Sequence, residues 1–301
     1  MGKVLVFGSI NTDLVTYVDS LPAPGETATG GRFQTFPGGK GANQAIAAAR
    51  VGATVEMFGC LGDDSLGRER MKSLEDAGVS TRNITIKAGE HSGIAQIIVD
   101  AKGGNLIAVA SGANFLFTPR DITLPEYPEN EERIALFQNE IPQETTEAVI
   151  KECKKLRMLV LWNTAPACRR KPSRKTLESV DFLICNHPEL RALTGQDGET
   201  GALKLRGWGV SNVIVTLGEG GSLLVSDEGI YYQGAFPVKP VDTVGAGDCF
   251  CGVFACSLSF GMSVKGSLRR ASAAAALSVT KKGAQTSMPT AGEIDAFLSY
   301  Q

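Results

Sequence analysis

Val241-Asp242-Thr243-Val244-Gly245-Ala246-Gly247-Asp248 runs straight into Cys249-Phe250-Cys251-Gly252-Val253-Phe254. A glycine-punctuated polar turn thus opens onto an apolar segment long enough for a buried helix. The first turn of a helix leaves backbone N–H groups unpaired, and its dipole favours negative charge there. Gly245 and Gly247 carry no side chain to keep an anion from those N–H groups. Asp248 follows in the first turn. A carboxylate beside an anion hole is unfavourable unless it has a task, and taking a proton is the task that fits. Read alone, the stretch is equally a glycine turn with a capping aspartate, so the rest of the chain decides.

Outward from this stretch, strand and helix alternate as in a parallel sheet with right-handed crossovers. Residues 134–138 read as a strand ending at Asn139-Glu140, 145–155 as a helix, and 158–162 as a strand ending at Asn163. Residues 182–185 read as a strand ending at Asn186-His187-Pro188-Glu189, which opens another helix. Residues 213–216 read as a strand ending at Leu217-Gly218-Glu219-Gly220-Gly221. Beyond the opening stretch, 264–281 read as an Ala-rich helix closed by Gly283, and Ala284-Gln285-Thr286-Ser287 as a loop folding back toward Asp242. Such a loop either packs or, beside a phosphate site, gathers carbonyls for a monovalent cation. Each polar strand ending is by itself a turn or a cap. Their recurrence on the edge where α/β enzymes bind ligands points to an enzyme.

In the N-terminal half, residues 3–8 read as a first strand followed at once by Ser9-Ile10-Asn11-Thr12-Asp13. Asn11 and Asp13 are candidates to hydrogen-bond a polyhydroxylated substrate, or simply turn residues. Residues 14–37 suggest two strands joined by an irregular loop through Pro22, Pro24 and Gly25. Phe36-Pro37-Gly38-Gly39-Lys40-Gly41-Ala42-Asn43-Gln44 is a second glycine-rich loop, opening a helix over 45–50. It is not a Walker loop, because no Ser or Thr follows Gly-Lys. Lys40 reads as a phosphate contact or a solvated lysine, and Asn43 as a contact for a substrate hydroxyl. Residues 54–60 read as a strand and 64–77 as a helix stopped by Gly78. Residues 93–100 and 105–110, around Lys102-Gly103-Gly104, carry a hairpin signature. With 14–37 they suggest a small antiparallel sheet projecting from the main one, able to cover a site or pair with another subunit.

The 301 residues carry no linker, charge run or low-complexity segment, which favours one compact unit. The net charge of −2, with acids and bases interspersed, argues against nucleic acid or an anionic membrane as partner. No cleavable signal and no bilayer-length apolar run stand in the sequence. The seven cysteines form no CxxC pair and read as reduced thiols, mostly in the core, so a cytoplasmic location is expected. Two histidines, His91 and His187, exclude a His-rich metal site, and no GxSxG supports a serine hydrolase.

At this point the motifs coincide in order with a known set. Gly8-Ser9-Ile10-Asn11-Thr12-Asp13, Gly38 to Gln44, Asn186-x-x-Glu189, Thr216-Leu217-Gly218, Asp242-Thr243-x-Gly245-Ala246-Gly247-Asp248 and Lys282-Gly283-Ala284-Gln285 resemble those of the ribokinase family of sugar kinases, over essentially the full length. The resemblance implies an α/β fold, with a mostly parallel central sheet flanked by helices and a small antiparallel β lid formed by about 14–37 and 92–111. It implies transfer of phosphate from ATP to a sugar's primary hydroxyl, position 5 in ribose. By position, Asp248 is the general base, and Gly245, Ala246 and Gly247 form the anion hole. Asn11, Thr12, Asp13, Gly39, Lys40, Gly41, Ala42, Asn43 and Glu140 fall where the family binds sugar. Asn186 and Glu189 fall where it organises Mg²⁺ and triphosphate. Thr216, Leu217, Gly218, Glu219, Gly220, Gly221 and Ser272 fall on the nucleotide side. Asp242, Val244, Ser278, Lys281, Gly283 and Ser287 fall on its monovalent-cation site, implying activation by K⁺. In this family the lid also makes a homodimer interface.

These roles suit the chemistry, since phosphoryl transfer needs alignment and charge neutralisation more than covalent help. Ser272 is smaller than the polar side chain the family often places near adenine, and 195–213 is short, which bear on nucleotide preference. Other readings are a kinase for another sugar or a nucleoside, and a non-catalytic sugar- or nucleotide-binding protein. A dinucleotide oxidoreductase is disfavoured because no GxGxxG follows the first strand.

Overall fold

The computed structural model describes residues 2–124 and 132–300. Its main sheet is centred on β1 (Lys3–Phe7), whose run KVLVF is buried on both faces, as a central parallel strand requires. β1 pairs in parallel with β4 (Thr54–Gly62) on one side and β8 (Arg133–Phe137) on the other. Beyond β4 lies β5 (Ser80–Lys87). Beyond β8 lie β9 (Leu159–Asn163), β10 (Phe182–Asn186) and β11 (Asn212–Thr216), all parallel. An antiparallel pair, β12 (Ser222–Ser226) and β13 (Gly229–Gln233), completes the nine-stranded order β13-β12-β11-β10-β9-β8-β1-β4-β5.

Helices cover both faces. α1 (Lys40–Arg50), α7 (Ala246–Ser259) and α8 (Val264–Ser278) pack on one face, with α9 (Ala291–Ser299) against α8. α3 (Gln143–Lys155), α5 (His187–Thr194) and α6 (Gly198–Gly207) cover the other, where Phe58, Phe7 and Phe137 stack across three adjacent strands with centroids 4.5 and 4.9 Å apart. The remaining helices are α2 (Ser65–Asp76), after β4, and the single turn α4 (Arg174–Leu177).

A second sheet of four strands has the order β3-β2-β6-β7, from β2 (Asn11–Tyr17), β3 (Arg32–Gly38), β6 (Gly93–Val99) and β7 (Asn105–Ala110). Its outer pairs are antiparallel, whereas β2 and β6 run parallel. Asp100 closes the β6–β7 turn by accepting from the N–H groups of Lys102 and Gly104.

Several boundaries differ from those expected. Asn11, Thr12 and Asp13 are not a turn beyond β1; they open β2, because their backbone is claimed by Gly38 and Gly93 neighbours on both sides. The glycine-rich segment turns helical at Lys40, since Gly39 provides the cap and Gly41 lies flat on the Gly8 backbone. The helix expected over 264–281 ends at Ser278, before Gly283. β5 joins the edge of the main sheet, and β12, β13 and α6 were not expected; α6 occupies much of the short 195–213 stretch. Six of the seven cysteines are buried and all are free thiols.

Candidate active site

Parallel strands bring their C-terminal ends to one edge, where the loops after β1 and β8 deliver Ser9 and Glu140 and the last residues of β9 and β10 are Asn163 and Asn186. The N-termini of α1 and α7 meet the same edge. Their close approach depends on Gly252, where a Cβ would lie 2.4 Å from the Gln44 carbonyl and 2.7 Å from Cβ of Ala47. Gly245 caps α7 with φ +78°, a conformation that L side chains avoid. A Cβ there would also stand 2.8 Å from Cβ of Ala284. Gly245, Ala246 and Gly247 therefore place the helix start beside the Ala284 loop, with the Ala246 N–H donating to the Thr243 carbonyl at 3.3 Å.

Asp248 is buried in the first turn of α7. Its Oδ2 accepts from Asn43 Nδ2 at 2.9 Å, and its Oδ1 from Gln44 Nε2 at 3.0 Å. Both amides are turned toward it by a second layer. Gln285 donates to Asn43 Oδ1 at 3.0 Å, and Gln138 donates to Gln44 Oε1 at 2.7 Å. Gln44 Nε2 also reaches Asn163 Oδ1, whose own amide donates to the Ile184 carbonyl. With their oxygens occupied, Asn43 and Gln44 can only donate to Asp248. Each carboxylate oxygen keeps a further lone pair for a substrate proton.

Glu140 accepts from the Ser9 hydroxyl and from the Lys40 backbone N–H, acting as an anionic cap of α1. The Lys40 ammonium lies in the fields of Asp248, Glu140 and Glu189, and these carboxylates hold it charged well above the ordinary lysine range. Asp13 is the most perturbed acid of the group. Burial first, then Glu140 and Asp248, raise it to about 6, against the opposing pull of Arg70 and Lys40. Its oxygens sit where Gly38 leaves room, 2.3 Å from the position a Cβ would take. Asn11 is fixed beside it by Asn114, which donates to Asn11 Oδ1 at 2.8 Å while accepting from the Ile10 N–H. The amide of Asn11 is thereby the end left to donate. A cavity of 520 Å³, lined in part by Asn11, Asn114 and Glu140, opens at this point. Thr12 is buried between the sheets, and Ala42 packs in the core, so neither offers a side chain to that cavity.

Asn186 and Glu189 form a reciprocal capping box on α5. Asn186 Oδ1 accepts from the Glu189 N–H, and Glu189 Oε2 accepts from the Asn186 N–H, both at 2.9 Å. Burial raises Glu189, and Lys40 opposes the shift. Thr216 ends β11, and Leu217 to Gly221 make a tight turn in which the Leu217 N–H donates to the Gly221 carbonyl at 2.8 Å. Gly218, Glu219 and Gly220 form its 3-10 segment, and Ser272 is buried on α8. Asp242 clasps two loops by accepting from the N–H groups of Val244 and Gly283 at 3.0 and 2.9 Å. The side chains of the other three cation-site candidates turn elsewhere. Ser278 and Ser287 donate into their own turns, and Lys281 pairs with Glu293 at 2.7 Å. Any share they take in a cation site falls to their backbone.

Asp248, Asn43, Asp13, Glu140 and Lys40, all candidates from the sequence, are gathered by the fold at one edge. The sequence reading assigned no role to Ser9, Gln44, Gln138, Asn163 and Gln285, although polar strand endings marked two of these, nor to Asn114, which no local signal marks.

The description of the pfkB family of carbohydrate kinases matches residues 1–291. The chain belongs to that family. Ribokinase of Bacillus subtilis is 39% identical over 300 residues, covering 99% of this chain and all of that one. A deoxyribokinase of Salmonella typhi is 36% identical over 302 residues, covering 98% of each. Among solved structures, ribokinase of Arabidopsis thaliana complexed with ribose and ATP superposes with a TM-score of 0.89 at 32% identity, covering 100% of this chain and 99% of that chain. The family's architecture, a mostly parallel sheet with a small second sheet, is the one found here. This protein is accordingly an ATP-dependent sugar kinase of the pfkB family.

Proposed function

We propose that the protein phosphorylates D-ribose at its 5-hydroxyl, giving ribose 5-phosphate and ADP. The observation that carries the reading is Asp248, held by two donated hydrogen bonds at the N-terminus of α7. Asp248 accepts the hydroxyl proton as the sugar oxygen bonds to the γ-phosphorus, and the bond from that phosphorus to the ADP oxygen breaks, its electron pair leaving with ADP. The amides of Gly245, Ala246 and Gly247 receive the charge on the transferred group. Asn11, Asp13, Gly39, Asn43 and Glu140 hold the sugar, and Lys40 meets the phosphates. Gly218 to Gly221, with Thr216 and Ser272, take the nucleotide.

Mg²⁺ fits the donor set. A magnesium ion keeps most of its waters and binds through one or two carboxylates plus substrate phosphates. Glu189 supplies a buried carboxylate with one oxygen outside its cap, and among the described residues no group of three acidic, His or Cys side chains gathers for a metal. When bound, Mg²⁺ neutralises triphosphate charge. K⁺ is read onto the loops that Asp242 clasps, through carbonyls of Val244, Ser278, Lys281 and Gly283. The smaller sheet acts as a lid on a single-domain chain. It exposes Phe33 and Leu106 on one face and Ile107 and Val109 on the other, apolar surface that supports a homodimer through the lid. No helix among the described residues is long and apolar enough to cross a membrane, and we assign the protein to the cytoplasm.

The similarity to a deoxyribokinase favours deoxyribose as the second reading. ATP consumption is to be measured with ribose, deoxyribose, fructose, adenosine and no acceptor, with and without K⁺. Ribose-dependent turnover that rises with K⁺ is expected. Preference for deoxyribose would transfer the assignment, and no turnover with any acceptor would overturn it.

A further inference from the structure

Arg70 lies on the inner face of α2, the helix that packs against the lid strand β2. It is 8% exposed, and its Nε and Nη1 find no hydrogen-bond partner among the described residues. The one acid near its remaining nitrogen is the adjacent Glu69, at 3.6 Å and 59% exposed. Water around Glu69 damps that pair. A buried guanidinium with two idle donors costs several kcal/mol of lost hydration on general grounds, so the fold has a use for its charge. Across the α2–β2 contact stands Asp13, a largely enclosed carboxylate that likewise accepts no hydrogen bond among the described residues. Two opposite charges, neither quenched by a direct partner, therefore face each other beneath the lid.

We propose that Arg70 is a positioning residue for sugar binding, acting through Asp13 rather than by touching substrate. Its Nε and Nη1 are closed to solvent, and Arg70 does not line the cavity at Asn11 and Glu140, so a sugar there does not reach them. Its positive charge keeps Asp13 ionised, and an ionised Asp13 is the form that accepts two sugar hydroxyls. The groups facing Asp13 are Glu140 from the β8–α3 loop, Asp248 from α7, Lys40 from α1 and Arg70 from α2. The first two are acids that favour its protonated form. Lys40 is shared among Asp248, Glu140 and Glu189. Arg70 has only Glu69 and Asp13 in its field, so it is the cation most fully at the disposal of Asp13.

The inference rests on Asp13 being the sugar carboxylate. The test is kcat and KM for ribose across pH 5.5–8.5 in Arg70→Met, Arg70→Lys and Asp13→Asn, with melting curves for each. Removing a neighbouring cation moves a carboxylate upward by about one pH unit or more. From a starting value of about 6, Arg70→Met then lowers kcat/KM about fivefold at pH 6 and less than about twofold at pH 8. The loss lies in KM, KM for ATP is unchanged, and Arg70→Lys restores the acid limb. A wild-type profile in Arg70→Met overturns the proposal, as does a loss equal at all pH values that lysine does not rescue, because that pattern reports packing alone. Should the Met variant not fold, Arg70→Gln and Arg70→Lys carry the same comparison. If Asp13→Asn keeps wild-type KM for ribose, it is the sugar-site assignment that fails. A crippled Asp13→Asn beside a silent Arg70→Met rejects the role of Arg70 only.

Discussion

In the proposed transfer Asp248 would take a proton through a carboxylate that is aimed and dry, and three features of the chain arrange this. Burial removes water, Asn43 and Gln44 donate one bond to each oxygen, and Gln138 and Gln285 fix which way those amides face. Asp248→Asn places an amide against two amide donors and removes the base. Turnover should fall about 10²- to 10⁴-fold, while ATP binding by calorimetry stays near wild type; turnover within a few-fold of wild type would exclude Asp248 as the base. Asp13 shows the cost of such placement. Its folded value of about 6 lies above the ordinary 3.8, so the native state binds the proton more tightly than the unfolded chain. Stability from this group is full below about pH 4 and declines as pH rises to about 6, by up to about 3 kcal/mol. Asp13→Asn should therefore melt higher than wild type at pH 7–8, with the gap closing toward pH 4, while ribose use collapses. An equal or lower melting temperature at pH 8 would show that the carboxylate is not strained.

At the scale of single elements, the same residues serve as local structure and as site. Asn186 and Glu189 form a capping box on α5, which a reader of sequence can take as structure alone. Asn186→Ala should cost about 1 kcal/mol of stability through the lost cap and also raise KM for ATP. Asn186→Ser, which can still cap, should recover the stability but not the KM. Recovery of both by serine would reduce Asn186 to a helix cap. The helix start of α7 was legible because glycine, Asp and a following apolar run are short-range signals. The opening of β2 was not. Asn11 to Asp13 look like a turn, and only pairing with β3 on one side and β6 on the other makes them strand. β12 and β13 escaped for a related reason: each is five residues long and is held by its neighbour, β12 by β11 and β13 by β12, not by its own pattern.

The whole molecule sets two sheets at an edge, with the residues proposed to hold sugar divided between them. Asn11 and Asp13 ride on the smaller sheet, while Asn43, Glu140 and Asp248 belong to the main body. Movement of the smaller sheet would thus assemble or open the sugar site. Its two faces leave Phe33 60% and Ile107 59% exposed, apolar surface of the kind that marks an interaction site. Ile107→Asp should halve the mass found by light scattering and raise KM for ribose; a wild-type mass that is already monomeric would remove the lid dimer from the proposal. The sequence by itself determined the alternating strands and helices and the glycine starts of α1 and α7, and it pointed to the aspartate proposed as base, because each is written in residues close together along the chain. Only the tertiary structure decided which groups hold that base and what charge Asp13 feels. Gln44 reaches Asp248 across 204 residues and Asn163 across 119, and Arg70 meets Asp13 only because α2 packs beneath β2. Hydrogen bonds and electric fields act through distance in space, and no local pattern of residues encodes that distance.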